Sequence, residues 1–321
     1  MFQTKVTDML GIEYPIIGGT MMWVTNAEFT AAISNAGGLG ILASAMYETR
    51  DAFAETIDRV YELTDKPFAV NINLFPMMRA IDNNEYVDVL IEKGVKIIET
   101  SGHHAPEDLC ARFKEAGMTW MHKCVGLRYA LKVQDMGADI ITVVGYENGG
   151  ATGKLDIGTL VLVPRVAEAI KVPLIGGGGV SDGRGLLAVL ALGAQGVIIG
   201  TRLLLTQEAP IHENLKKALL EASELDTMLI MRSIGATHRV WANAAAKKCA
   251  ELEADQAGLP EILKVVAGEK AKRMYEGGET DVGVISCGQG VGMVHHILTV
   301  KELFDGIISQ ATDIAKKLAN K

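Results

Sequence analysis

The chain has 321 residues, of which 49% are apolar and 22% charged, and a net charge of −8. That composition can bury a sizeable core, and the acidic balance without a basic stripe argues against a nucleic-acid surface, which needs clustered Lys and Arg. No apolar run reaches the roughly 18–20 residues of a membrane helix, and the N-terminal stretch MFQTKVTDML has no basic segment leading an apolar core. Cys110, Cys124, Cys249 and Cys287 form no C-x-x-C pair, so reduced thiols, a cytoplasmic location, no metal and no membrane or nucleic-acid partner are expected.

Short apolar runs alternate with amphipathic segments along the first two thirds of the chain. The runs are brief, rich in β-branched residues and end in Gly or polar residues, as strands do. They are Tyr14 to Ile17, Leu39 to Ala43, Phe68 to Leu74, Lys96 to Thr100, Thr119 to Val125, Asp139 to Val144, Pro173 to Gly176 and Gly196 to Gly200. Segments of helical length lie between them: Asn26 to Ala36, Arg50 to Leu63, Glu85 to Lys93, Pro106 to Ala116 and Leu127 to Met136. Gly37, Gly94, Gly117, Gly137 and Gly193 follow such segments, where a helix C-terminus turns to positive φ. Pro106 suits a first helical turn.

Strand–helix repetition with short links predicts parallel strands joined by crossover helices. A count of eight favours a (β/α)₈ TIM barrel over an open doubly wound sheet, and no G-x-G-x-x-G opens a helix after the first run. The rhythm stops after Arg202. Residues 206–275 read as mostly helical, for example Asn214 to Ala222 and Val240 to Leu252, followed by a Gly-rich stretch from Gly277 to Gly292 and an amphipathic helix from Val300 to Leu318. The expected division is a barrel over 1–205, a helical cap with the Gly-rich loop over 206–299, and a final helix over 300–321 returning to the barrel.

In such a barrel the chemistry sits just beyond the C-terminal strand ends. Gly176 to Gly179 follow the seventh run, and Gly200-Thr201-Arg202 follow the eighth. Glycine lets a backbone approach an anion, and consecutive N–H groups stabilise its charge, so the pair predicts a phosphate site. A sugar-phosphate isomerase, an aldolase or an inosine-monophosphate-dehydrogenase-like enzyme would share it. Lys123, at the end of the fifth run, favours a flavin, whose reduced ring carries negative charge that a lysine stabilises. Asn73, at the end of the third, offers amide groups to a pyrimidine-like ring edge.

Several motifs in chain order resemble the nitronate monooxygenase (2-nitropropane dioxygenase) family, which includes NADH:quinone reductases and is related to FMN-containing enoyl-ACP reductases. They are Pro15 to Trp23, Asn35 to Gly40, Lys66 to Asn71, His122-Lys123-Cys124, Gly176 to Gly183, Gly200-Thr201-Arg202 and Gly288-Gln289-Gly290. The resemblance implies a barrel with a helical second domain and noncovalent FMN. Thr20, Met21 and Met22 would meet the ring, Asn73 and Lys123 its polar edge, and Gly150, Gly179, Gly200 and Thr201 the phosphate and ribityl end. The stretch near Gln289 would approach from the second domain.

Two positions depart from the family pattern. Gly18 stands where Gln is common. Ala151 stands where the family carries a histidine after Gly149-Gly150, and alanine transfers no proton. His103 and His104, after the fourth run, are the expected replacements, since imidazole suits proton transfer near neutral pH. His122 is expected to point away from the mouth. The leading expectation is oxidation of alkyl nitronates with oxygen through bound FMN. An NAD(P)H-dependent reductase of quinones or enoyl thioesters comes next, then a non-redox sugar-phosphate enzyme, then an FMN-binding sensor or storage protein.

Overall fold

The computed structural model describes residues 2–75, 82–102 and 105–320. Eight parallel strands form the barrel: β1 (Ile16–Gly18), β2 (Gly40–Ala43), β3 (Phe68–Asn73), β4 (Ile97–Ser101), β5 (Thr119–Cys124), β6 (Ile140–Val144), β8 (Leu174–Gly177) and β9 (Gly196–Ile199). The two-residue strand β7 (Gly150–Ala151) lies outside it. The sheet order is β1-β9-β8-β6-β5-β4-β3-β2, and a parallel bridge between Ile17 and Leu39 closes the ring. All eight runs expected as strands are strands, with ends displaced by one or two residues.

Alternation along each strand divides the core into two shells. Ile17, Ile41, Ala69, Ile97, Met121, Ile140, Ile175 and Ile198 fill the barrel interior, and Val6, Leu10 and Ile12 join them. The latter three belong to the first helix, Lys5–Leu10, and its following turn. The alternate residues, such as Ile16, Val70, Ile98, Ile141 and Val197, pack outward against the helices.

Several helices start on side-chain caps. Asn26, Thr49 and Asp182 accept from backbone N–H groups of the first turns of Ala27–Asn35, Arg50–Leu63 and Gly183–Ala191. The five glycines expected after helices all take positive φ. Pro106 is a correction. The helix there is Cys110–Glu115, and Pro106 sits in the preceding turn, its carbonyl accepting from Leu109 and Cys110.

A second correction concerns residues 206–275. Helices Glu213–Leu220, Ala244–Ala254, Leu259–Val266 and Gly268–Gly277 are present, but β10 (Thr227–Ile230) and β11 (His238–Trp241) form an antiparallel hairpin, extended by β7. Val240 therefore lies in a strand, not at a helix start. Its buried neighbours Ile230, Ala246, Cys249 and Ile262 show why: the hairpin needs one apolar face to cover the helices behind it.

The final helix, Val300–Ala319, opens with a reciprocal capping box between Thr299 and Glu302. It packs against Ala27–Asn35 and Gly183–Ala191, supplying the helix that follows β9 around the barrel. Phe304 is fully buried in that contact, worth roughly 1.5–3 kcal/mol by burial alone.

Candidate active site

The strands' C-terminal ends carry a polar cluster above the apolar fill. Glu99 projects inward from β4 and is fully buried. Its Oε2 accepts from Thr20 Oγ1 at 2.8 Å and from Asn71 Nδ2 at 2.7 Å, and lies 3.5 Å from Lys123 Nζ. Asn71 Nδ2 also donates to Ser101 Oγ at 3.1 Å. Among the described residues Glu99 Oε1 has no partner, and neither has the buried Thr142 Oγ1 on β6. Three donors from three elements thus meet one carboxylate oxygen, which offsets the cost of burying the charge. Lys123 keeps 21% of its side chain exposed, so its stem lies in the barrel while its head reaches the mouth.

Beside this cluster lie the glycines. Gly178 and Gly179 follow β8 with φ +104° and +72°, a conformation strained for other residues. A Cβ on Gly178 would stand 2.6 Å from Thr159 Oγ1. No acceptor among the described residues takes the N–H of Gly179 or Val180. Gly200 and Thr201 follow β9, half-exposed, and Met21 Sδ lies 3.9 Å from where a Gly200 Cβ would be. The Thr20–Met22 loop and both glycine turns therefore border one mouth. Its donor set of backbone N–H groups, one hydroxyl and one lysine fits an organic phosphate.

The late glycine stretch crosses the same rim. Gly288 N–H donates to Thr201 Oγ1 at 2.9 Å, and Gln289 N–H to the Glu147 carbonyl at 2.9 Å. Ser181 Oγ donates to the Gly290 carbonyl at 2.9 Å. The Glu147 carboxylate accepts from Thr159 N–H and Oγ1, capping the helix Thr159–Ala167, whose own N-cap is Gly158. Gly150 takes φ +86° and pairs with Arg239 of β11. Arg239 donates to the Tyr146 carbonyl at 3.1 Å and stacks 4.4 Å from that ring's centroid, clamping the turn.

Ala151 pairs directly with His238. Thr152 N–H reaches the Thr237 carbonyl at 3.4 Å, so Ala151 and His238 form the non-hydrogen-bonded pair, in which side chains are closer. His238 Nε2 lies 3.7 Å from the Cβ position of Gly150. His103 and His104 lie outside the described residues. His122 points outward from the barrel, its Nδ1 2.7 Å from Thr100 Oγ1, and burial pulls its pKa down to about 4, with Lys123 adding to the shift. All four cysteines are unpaired, and burial pushes the Cys124 and Cys287 thiols up to about 12. No group of three metal-ligating side chains occurs among the described residues, and no described helix is long and apolar enough to cross a membrane.

Sequence reasoning missed Glu99 and Asn71. The available signal was a lone carboxylate within Ile97-Ile98-Glu99-Thr100 at an inward position of a barrel strand. Asn73, which was expected, spends its Oδ1 on the Phe75 N–H in a local turn. A cavity of about 360 Å³ opens beside the Thr20–Met22 loop, lined by Trp23, Asn26, Met46, Tyr47, Lys272 and Tyr275 among others. Lys272 Nζ sits 5.2 Å from the Trp23 ring centroid, and Trp23 itself holds φ +65°.

The closed eight-stranded barrel is a TIM barrel, and its relatives place the chain among the oxidoreductases of that fold. The sequence pattern of the nitronate monooxygenase family matches residues 3–87 and 73–310, and the chain belongs to that family. FabK from Thermotoga maritima is similar over 100% of this chain and 99% of its own, with a TM-score of 0.92 and 31% identity. A Rhodococcus jostii enzyme, (3aS,4S,5R,7aS)-5-hydroxy-7a-methyl-1-oxo-octahydro-1H-indene-4-carboxyl-CoA dehydrogenase, is 33% identical over 96% of each chain. A Staphylococcus saprophyticus protein named as a probable nitronate monooxygenase is 28% identical, covering 98% of this chain and 99% of its own.

Proposed function

We propose that this oxidoreductase uses FMN to exchange electrons with an organic substrate bound above the barrel mouth. The observation that carries the reading is the meeting of a two-sided glycine cradle with the cluster of Lys123, Glu99, Asn71 and Thr20. FMN, when bound, supplies one- and two-electron redox chemistry. Gly150, Gly179, Gly200 and Thr201 would hold its phosphate and ribityl end through backbone N–H groups and one hydroxyl. Lys123 would offer positive charge to the polar edge of the ring, with Asn73 beside it, and Thr20, Met21 and Met22 would face the ring. Met21 and Met22 present apolar, polarizable surface that limits water there.

Two substrate classes fit. Alkyl nitronates, with oxygen as acceptor, are the reading favoured by the family. A nitronate has already lost its Cα proton, so Ala151 costs that reaction no general base. The second reading is an acyl thioester or the carbonyl of a larger acyl group, with NAD(P)H as a candidate electron donor. It is supported by the relative whose name gives a CoA ester as what it acts on.

The test is the visible spectrum of the purified protein without oxygen. A flavin band that an alkyl nitronate bleaches supports the first reading. A band bleached by NADH or NADPH and restored by an enoyl- or oxoacyl-CoA supports the second. Protein reconstituted with FMN that shows no bound flavin overturns both.

A further inference from the structure

We propose that Glu99 is a positioning residue that sets the electron affinity of the bound flavin by holding part of Lys123's charge. This rests on the FMN reading above. Glu99 is fully buried, and its partners come from three elements around the mouth: Thr20 from the β1 loop at 2.8 Å, the buried Asn71 from β3 at 2.7 Å, Lys123 from β5 at 3.5 Å. All three converge on Oε2, while Oε1 has no partner among the described residues. A carboxylate kept only to brace the barrel would satisfy both oxygens, because an unpaired buried oxygen carries a desolvation penalty. The Lys123 contact is also longer than a charge-assisted hydrogen bond, which closes to about 2.7–2.9 Å. Lys123 is thus attracted by Glu99 without being fully engaged, and among the described residues its ammonium has no other ion-pair partner.

Reduction of a flavin by two electrons with uptake of one proton leaves one added negative charge on the ring. A lone lysine beneath it would favour that state strongly and make the reduced flavin a weak donor. Glu99 would oppose this in two ways: it competes for the ammonium, and its own negative charge would disfavour a second one nearby. The enzyme thereby keeps its reduced flavin able to pass electrons on.

The experiment is the flavin midpoint potential of the reconstituted holoenzyme, measured by dye equilibration, for wild type, Glu99→Gln, Lys123→Met and the double variant. Glu99→Gln is expected to shift the potential positive, and Lys123→Met to shift it negative. In the double variant the effect of Glu99→Gln should shrink, because its main route runs through Lys123. Thr20→Val, which removes one donor from Oε2 and leaves both charges, should move the potential less than Glu99→Gln and supplies a reading if the latter fails to fold. A Glu99→Gln holoenzyme with unchanged potential overturns the proposal; so does a negative shift in Glu99→Gln. With Thr20→Val alone in hand, a shift as large as that of Lys123→Met overturns it. A wild-type protein that takes up no flavin is a different result, and it removes the FMN reading itself.

Discussion

His238 stands directly across an antiparallel strand pair from Ala151, with its Nε2 3.7 Å from the Cβ position of Gly150. The family's histidine position is thus empty of imidazole on its own strand and has one on the neighbouring strand. His238→Ala is expected to lower kcat/KM for a neutral nitroalkane by roughly 100-fold, the usual share of general acid–base catalysis, and to leave a preformed nitronate unchanged. His103→Ala and His104→Ala, assayed with the same two substrates, test the sequence-based assignment. Equal losses on both substrates for His238→Ala would mean that it only shapes the turn.

Gly179 carries φ +72°, and its nearest obstruction would be Glu147 Cβ at 3.4 Å, so strain rather than collision decides the effect of a side chain there. Gly179→Ala should cost about 1–2 kcal/mol of apo-protein stability. It should also weaken FMN binding roughly tenfold through a misaligned N–H, as expected for one charge-assisted hydrogen bond. Thermal unfolding and a fluorescence titration with FMN measure the two separately. Unchanged affinity would remove Gly179 from the phosphate site.

The buried His122 predicts an acid-side instability. The folded chain holds this imidazole neutral down to about 4, against an ordinary value of 6.5. Between those values the unfolded chain binds more protons, so stability rises with pH there and falls as the solution is acidified from 6.5. The full effect is about 3 kcal/mol, from the size of the shift. His122→Asn, which keeps an acceptor near Thr100, should flatten the urea-midpoint profile over that window. An equally steep profile would assign the dependence to other groups.

Gly183 opens a helix where the final helix crosses most closely. A Cβ would come within 2.5 Å of both Ala311 N and Ile307 O. Gly183→Ala should therefore destabilise the fold by roughly 1–3 kcal/mol, an overpacking cost. Chemical denaturation checks it, and FMN affinity, which the proposed site draws from the preceding turn, should hold.

The barrel was legible because its signal is local and repeated. Each strand is a short apolar run, and the helices between them are punctuated by glycine at positive φ. The hairpin was not. Thr227 to Ile230 and His238 to Trp241 are four residues each and show little alternation, and they become strands only by pairing with each other and with Gly150–Ala151. Lys123 and the glycine cradle could be found from their place after strands. Glu99 could not be weighed without knowing that Thr20, Asn71 and Lys123 turn toward it, a relation spanning four separate elements.

The helix that carries Phe304 belongs beside β9 in space but follows it by about 100 residues in the chain, since β9 ends at 199 and the helix starts at 300. A ribosome adding about 5–20 residues per second needs on the order of 5–20 s to make that interval. For that time the nascent barrel has all its strands and an uncovered apolar strip on helices Ala27–Asn35 and Gly183–Ala191. The insertion between β9 and its helix thus creates a window of vulnerability during synthesis. In that window a chaperone, rather than the enzyme's own last helix, is the natural cover for the seam.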